Sequence, residues 1–177
     1  MLTRFFTVVG LAILLSGCVV YPSSRTYLAP NPDDGTLSRS QGCGYQKTKL
    51  DTLSRKTKDY YLEVKPNNSN EHSFYVHVYV QSEKDIISLN ASKVVILVNG
   101  KPQEPEHFTV DKRQPRRGSE YYSAFINIFY PTNFDSIQTL SVEFGESMKL
   151  NGSPEEQTPF RFEKQTVSDF YMASINC

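Results

Sequence analysis

The chain has 177 residues and carries 19 Lys+Arg against 19 Asp+Glu, so its formal charge at neutral pH is zero. Such a balance creates no long-range pull toward nucleic acid, and the length suits one core of ordinary domain size. Trp is absent, whereas Tyr and Phe number eleven each and Pro ten, a mixture that favours short strands joined by turns.

Arg4 and the amino terminus precede an apolar run from Phe5 to Leu15. The run is too short to cross about 30 Å of hydrocarbon, which needs about 20 apolar residues. A positive stretch, a short apolar stretch and small residues after it make a secretory signal. It closes on Leu15-Ser16-Gly17-Cys18, a branched apolar residue and two small ones before a cysteine. These four residues resemble the lipobox of bacterial lipoproteins, a likeness that covers the first 18 residues. The resemblance implies cleavage before Cys18, a diacylglyceryl group on its sulfur and an acyl group such as palmitate on its amine. Val19 stands where an aspartate would imply retention in the inner membrane, so the resemblance implies an outer-membrane lipoprotein with its domain in the periplasm. In a Gram-positive host it implies the outer face of the plasma membrane. Residues 1–17 are then the signal peptide, 18–42 the lipidated N-terminus and a flexible tether, and 43–177 the periplasmic domain.

With Cys18 acylated, Cys43 and Cys177 are the remaining thiols, and an oxidising compartment favours their disulfide. Closing so long a loop is worth about 4–5 kcal/mol in the chain-entropy model. Two unrelated thiols are the alternative. Val19 to Gln41 has three prolines, four serines and no apolar period. As a flexible coil of roughly 24 residues it would reach about 25–30 Å. Tyr45 to Lys58 is mostly polar and allows a short helical turn.

Alternation with period 2 begins at Tyr60. Tyr60, Leu62 and Val64 share a face before Pro66-Asn67-Asn68 closes the segment. In Ser73–Gln81, Phe74, Val76, Val78 and Val80 oppose Tyr75, His77 and Tyr79. Asp85 to Leu89 reads as a brief edge segment, and the apolar Lys93–Val98 as a strand in mid-sheet or buried on both faces. Asn99-Gly100 is the strongest hairpin signal. Pro102 and Pro105 make the return strand, His107 to Val110, an edge or a widened loop. Glu120 to Tyr130 sets Tyr122, Ala124, Ile126 and Ile128 against Tyr121, Phe125 and Phe129. Thr139–Phe144, a turn at Asn151-Gly152, Thr158–Glu163 and Ser168–Asn176 complete the pattern. Seven or eight strands without an amphipathic helix predict an all-β, antiparallel β-sandwich of immunoglobulin-like architecture.

The chain lacks G-x-S-x-G, H-E-x-x-H and C-x-x-C patterns. His72 and His77, five apart on one strand, would face opposite sides and could not share an ion. No enzymatic activity, cofactor or metal is expected. Lys112, Arg113, Arg116 and Arg117 form a candidate anion-binding loop for peptidoglycan or lipopolysaccharide, or else a solvated loop partly neutralised by Asp111 and Glu120. Tyr75, His77, Tyr79, Tyr121, Phe125 and Phe129 form a candidate partner surface, either exposed or covered by other elements. The reading reached is a non-enzymatic accessory lipoprotein, anchored in the membrane, that binds another envelope or secretion-machinery component. Its alternative is a glycan- or lipid-binding lipoprotein, with a hydrolase a more distant third.

Overall fold

The computed structural model describes residues 19–40, 44–68, 74–83, 87–115, 120–150, 153–154 and 158–173. The signal peptide, all three cysteines, Arg116 and Arg117, His72 and the Asn151-Gly152 turn therefore lie outside the described residues. The strands begin with β1 (Val19–Pro30), β2 (Thr36–Arg39), β3 (Leu50–Lys56), β4 (Tyr60–Asn68) and β5 (Phe74–Ser82). Next come β6 (Ile87–Leu89), β7 (Val95–Val98), β8 (Lys101–Gln103), β9 (His107–Arg113) and β10 (Tyr122–Tyr130). The last are β11 (Thr139–Glu143), β12 (Met148–Leu150), β13 (Ser153–Pro154) and β14 (Phe160–Ala173). One sheet runs β1-β14-β11-β7-β8, a second β2-β3-β4-β5-β10-β9, and a small third β13-β12-β6. The fold is an antiparallel β-sandwich.

The chain divides into two compact units, one of residues 27–40 and 50–165, the other of 1–26, 41–49 and 166–177. The first holds the sandwich core. Along β5 burial alternates strictly, with Phe74, Val76, Val78 and Val80 inside. Ile126, Ile128 and Tyr130 of β10 lie on the same face, because Ile126 is paired with Val78 and Ile128 with Val76. The opposing sheet contributes Ile96, Val98, Leu140, Val142, Phe160 and Phe162. Each such side chain contributes roughly 1.5–3 kcal/mol through its removal from water. The Tyr130 hydroxyl donates to the Val94 carbonyl at 3.2 Å, and burial pushes its pKa up.

Polar clamps close the margins of this core. Arg55 lies over the Phe160 ring at 3.8 Å and donates to the carbonyls of Asp34, Thr158 and Pro159. Asp34, buried in a 3-10 turn, accepts from the Arg161 backbone N–H at 3.0 Å and from its guanidinium at 2.9 and 2.6 Å. The hydrogen bond from Arg161 is the main reason the Asp34 carboxyl stays below its ordinary pKa. Asn99, at φ 51°, and Gly100, at φ 77°, form the tight turn between β7 and β8. The Asn99 carboxamide accepts from the backbone N–H groups of Gln138 and Thr139, tying this turn to the start of β11.

In the other unit, Arg25 pairs with the buried Asp169 at 2.5 Å and covers the Tyr45 ring at 4.1 Å. Tyr171 packs between Tyr21 and Tyr45. Gly44 is at φ +84°, and a Cβ there would lie 2.6 Å from the Tyr171 ring, so the close approach requires glycine.

Several expectations need correction. The stretch read as a flexible tether contains β1 and β2. Backbone pairing rather than an alternating apolar face forms β1, whose side chains are buried only near Tyr27, Leu28 and Pro30, so no period was visible. The segment allowed a helical turn contains β3, where Asp51, Thr52 and Ser54 are buried by their hydrogen bonds rather than by apolarity. Pro66 lies within β4, two residues past the last β3 pairing at Leu53 and Val64, where a missing N–H leaves no β3 ladder bond unmade. The return strand of the Asn99-Gly100 hairpin is β8, an edge strand that carries Pro102, whereas β9 crosses to the other sheet. Val95 is 44% exposed, so β7 is a mid-sheet strand with one wet position. Thr158–Glu163 and Ser168–Asn176 are not two separate strands, since β14 runs unbroken from Phe160 to Ala173; Ser174 to Asn176 lie outside the described residues. The described residues form fourteen strands where seven or eight were expected, because short pieces such as β8, β12 and β13 carry no periodic signal and β1 to β3 lie in stretches without an alternating apolar face.

Candidate functional site: the outer face of the six-stranded sheet

Residues opposite one another on paired strands share a face, so the register of β4, β5, β10 and β9 builds three rows across the outside of the sheet. The first is Glu63, Tyr79, Phe125 and Asp111; the second Lys65, His77, Asn127 and Thr109; the third Asn67, Tyr75, Phe129 and His107. Two aromatic rows therefore flank a polar one.

The rings stack across strands. Phe129 lies between Tyr75, at 5.2 Å and 29°, and His107, at 4.3 Å and 7°. Phe125 has Tyr79 on one side at 4.8 Å and the Arg113 guanidinium at 4.5 Å. Tyr61 meets Tyr79 edge-on at 6.0 Å. Rings this close cannot lie side by side in one plane, so their faces meet one another and their edges point outward. A sugar platform needs an open ring face, and Phe125 and Phe129 do not offer one.

The middle row is a hydrogen-bond chain. Asn127 Nδ2 donates to Thr109 Oγ1 at 3.3 Å, which turns Asn127 Oδ1 toward His77 Nδ1 at 2.7 Å, so the imidazole donates from Nδ1. At the β4 margin the Tyr61 hydroxyl donates to Glu63 at 2.8 Å, and the Tyr79 hydroxyl to Gln81 at 2.8 Å. Burial, reinforced by the Glu63 carboxylate, raises the pKa of both phenols. The face is thus rigid, half-buried by its own contacts, and rich in directed polar atoms between apolar edges.

Of the six residues expected to form the surface, Tyr75, His77, Tyr79, Phe125 and Phe129 come together here. Tyr121 precedes β10, is 42% exposed and stacks on none of these rings among the described contacts. Tyr61 and Glu63 were legible in the alternation of β4 but not singled out. His107 and Arg113 could be found only from the pairing of β9 with β10. Of the expected anion-binding loop, Lys112 and Arg113 end β9, and Arg113 is held by Asp111 at 2.8 Å and by Phe125. Among the described residues no group of three or more His, Cys, Asp or Glu could hold a metal, and no helix is long and apolar enough to cross a membrane. Comparison with protein-family models, curated proteins and solved structures returns no match.

Proposed function

We propose that the chain is a lipid-anchored envelope lipoprotein, acylated at Cys18, that acts as a non-enzymatic accessory protein and docks another envelope or secretion-machinery component on the outer face of its six-stranded sheet. The observation that carries this reading is the ring ladder with its central hydrogen-bonded row. Half-buried aromatic edges interleaved with fixed polar groups are the make-up of protein interfaces, in which Tyr, Phe and Arg are enriched. Because the ladder is braced by its own contacts, little side-chain freedom remains to be lost on docking.

The same reading includes the Cys43–Cys177 disulfide. What supports it is that the described residues closest to the two cysteines meet, Tyr45 bridging Tyr171 and Met172 N donating to Gly44 O at 2.6 Å; Cys177 lies five residues beyond Met172. The test of the docking face is photo-crosslinking in cells, with a benzophenone side chain at Tyr75 and, as control, at Ser141 on the outside of the other sheet. A discrete envelope protein captured from Tyr75 and not from Ser141 is the expected result. The same products from both positions, or none from Tyr75, would remove the outer face from the reading.

A further inference from the structure

We propose that the free edge of β9 accepts an extended segment of a partner polypeptide as a seventh strand, with an apolar side chain of that segment in the cleft beside Val110 and an acidic one against Lys112. Among the described residues β9 is the last strand of its sheet and pairs only with β10, and it is exposed along all seven residues. Such an edge presents a row of unmatched N–H and C=O groups, and proteins commonly blunt it by shortness, charged side chains, proline or a bulge. The other edges of the two large sheets are blunted in this way. β8 has three residues and Pro102, β2 has four residues and a register shift at Ser38/Arg39, and β1 carries Pro22 and Pro30. β9 is seven residues long with no proline, glycine or bulge, and its charges, Asp111, Lys112 and Arg113, are gathered at one end, which leaves His107–Val110 without a carboxylate, lysine or arginine.

The side of β9 turned away from the ring ladder supplies the specificity. Phe108, Val110 and Lys112 pair with Ile128, Ile126 and Ala124 and so share the core-facing side, yet Phe108 and Val110 remain 45% and 43% exposed. Beside them opens a cleft of about 180 Å³ whose apolar lining is Val80, Leu89, Val110, Ala124 and Ile126, the rest of the lining being polar and including Lys112 and Arg113. Sites for whole small-molecule ligands run to roughly 300–1,000 Å³, so this cleft suits a single side chain presented by a chain that is itself held elsewhere. Strand addition does this, since the backbone ladder holds the partner while alternate side chains enter pockets. Lys112 has no ion pair among the described residues, unlike Arg113, so the complementary group on the partner is an acid. This edge is separate from the ring ladder, and the inference does not rest on the docking role of that face.

The probe is the fluorescein-labelled peptide Thr-Glu-Thr-Leu-Thr-Val-Thr. Added antiparallel to β9, it sets its Glu opposite Lys112, Leu opposite Val110 and Val opposite Phe108. With the full chain in lipid nanodiscs, anisotropy should show saturable binding. Lys112→Glu, at an exposed position, should weaken it about tenfold or more, and N-methylation of alternate peptide nitrogens should abolish it. Phe125→Leu, on the ring ladder, should leave it unchanged, which separates this proposal from the reading of the outer face. Absence of binding, or equal binding of the N-methylated peptide, overturns the proposal. So does saturable binding of decanoate without the peptide, which would make the cleft an acyl site. Self-association in sedimentation that Lys112→Glu dissolves would make the occupant a second copy and overturn it as well.

Discussion

Asp34 shows how one carboxylate fixes a connection between strands. It sits in the 3-10 turn between β1 and β2, where Asn31 caps the turn by accepting from Asp33 N, and it accepts three hydrogen bonds from Arg161 on β14. Its pKa is lowered in the folded chain, while an unfolded aspartate titrates near about 3.9. A lowered folded value means that the stabilisation is fully present above the unfolded pKa and is lost as pH falls through the folded one. Asp34→Asn should therefore lower the urea midpoint at pH 7, and the gap from wild type should narrow below about pH 4. A gap unchanged from pH 7 to pH 3 would mean that the charge of Asp34 contributes nothing. The sequence placed Asp34 in the flexible tether; its partner, 127 positions along the chain, carries no local signal.

At the level of elements, β10 divides its two faces between the core and the ring ladder. Ile128 points into the core, and Phe129, the next residue, is stacked between Tyr75 and His107 on the outside. Ile128→Ala should cost about 2–5 kcal/mol, the usual range for emptying a packed site. Phe129→Ala should cost less, about 1–3 kcal/mol from two aromatic stacks, while reducing crosslinking from position 75. Chemical denaturation of both variants checks the order, and a larger loss for Phe129→Ala would mean that the outer face carries the fold. The alternation that separates these faces is legible in the sequence. The rows are not, because they depend on which strands lie side by side and in what register.

For the whole molecule the expected anchor and disulfide bear on location and on the second unit. Protein purified from membranes should yield an N-terminal peptide that begins at Cys18 with its acyl groups. A non-reducing digest should yield Cys43 and Cys177 peptides joined to each other. Loss of the cross-link should destabilise the protein by up to about 4–5 kcal/mol. A mature protein without acylation, or both thiols alkylated without prior reduction, would contradict these two expectations separately. Neither outcome changes the sandwich core of residues 27–40 and 50–165, since those spans contain no cysteine in the sequence.

From the sequence alone come the all-β class, the inward faces of β4, β5, β10 and β11, and the turn at Asn99-Gly100, since each depends on residues within a few positions of one another. Tertiary structure alone decided that β1 is a strand, that β9 leaves its hairpin neighbour for the other sheet, and that His107 and Arg113 complete the ring ladder. These outcomes depend on backbone pairing between distant segments. A hydrogen-bonded edge is indifferent to the side chains that reveal periodicity, so β1 and β9 acquire their places only once the neighbouring strands are there to receive them.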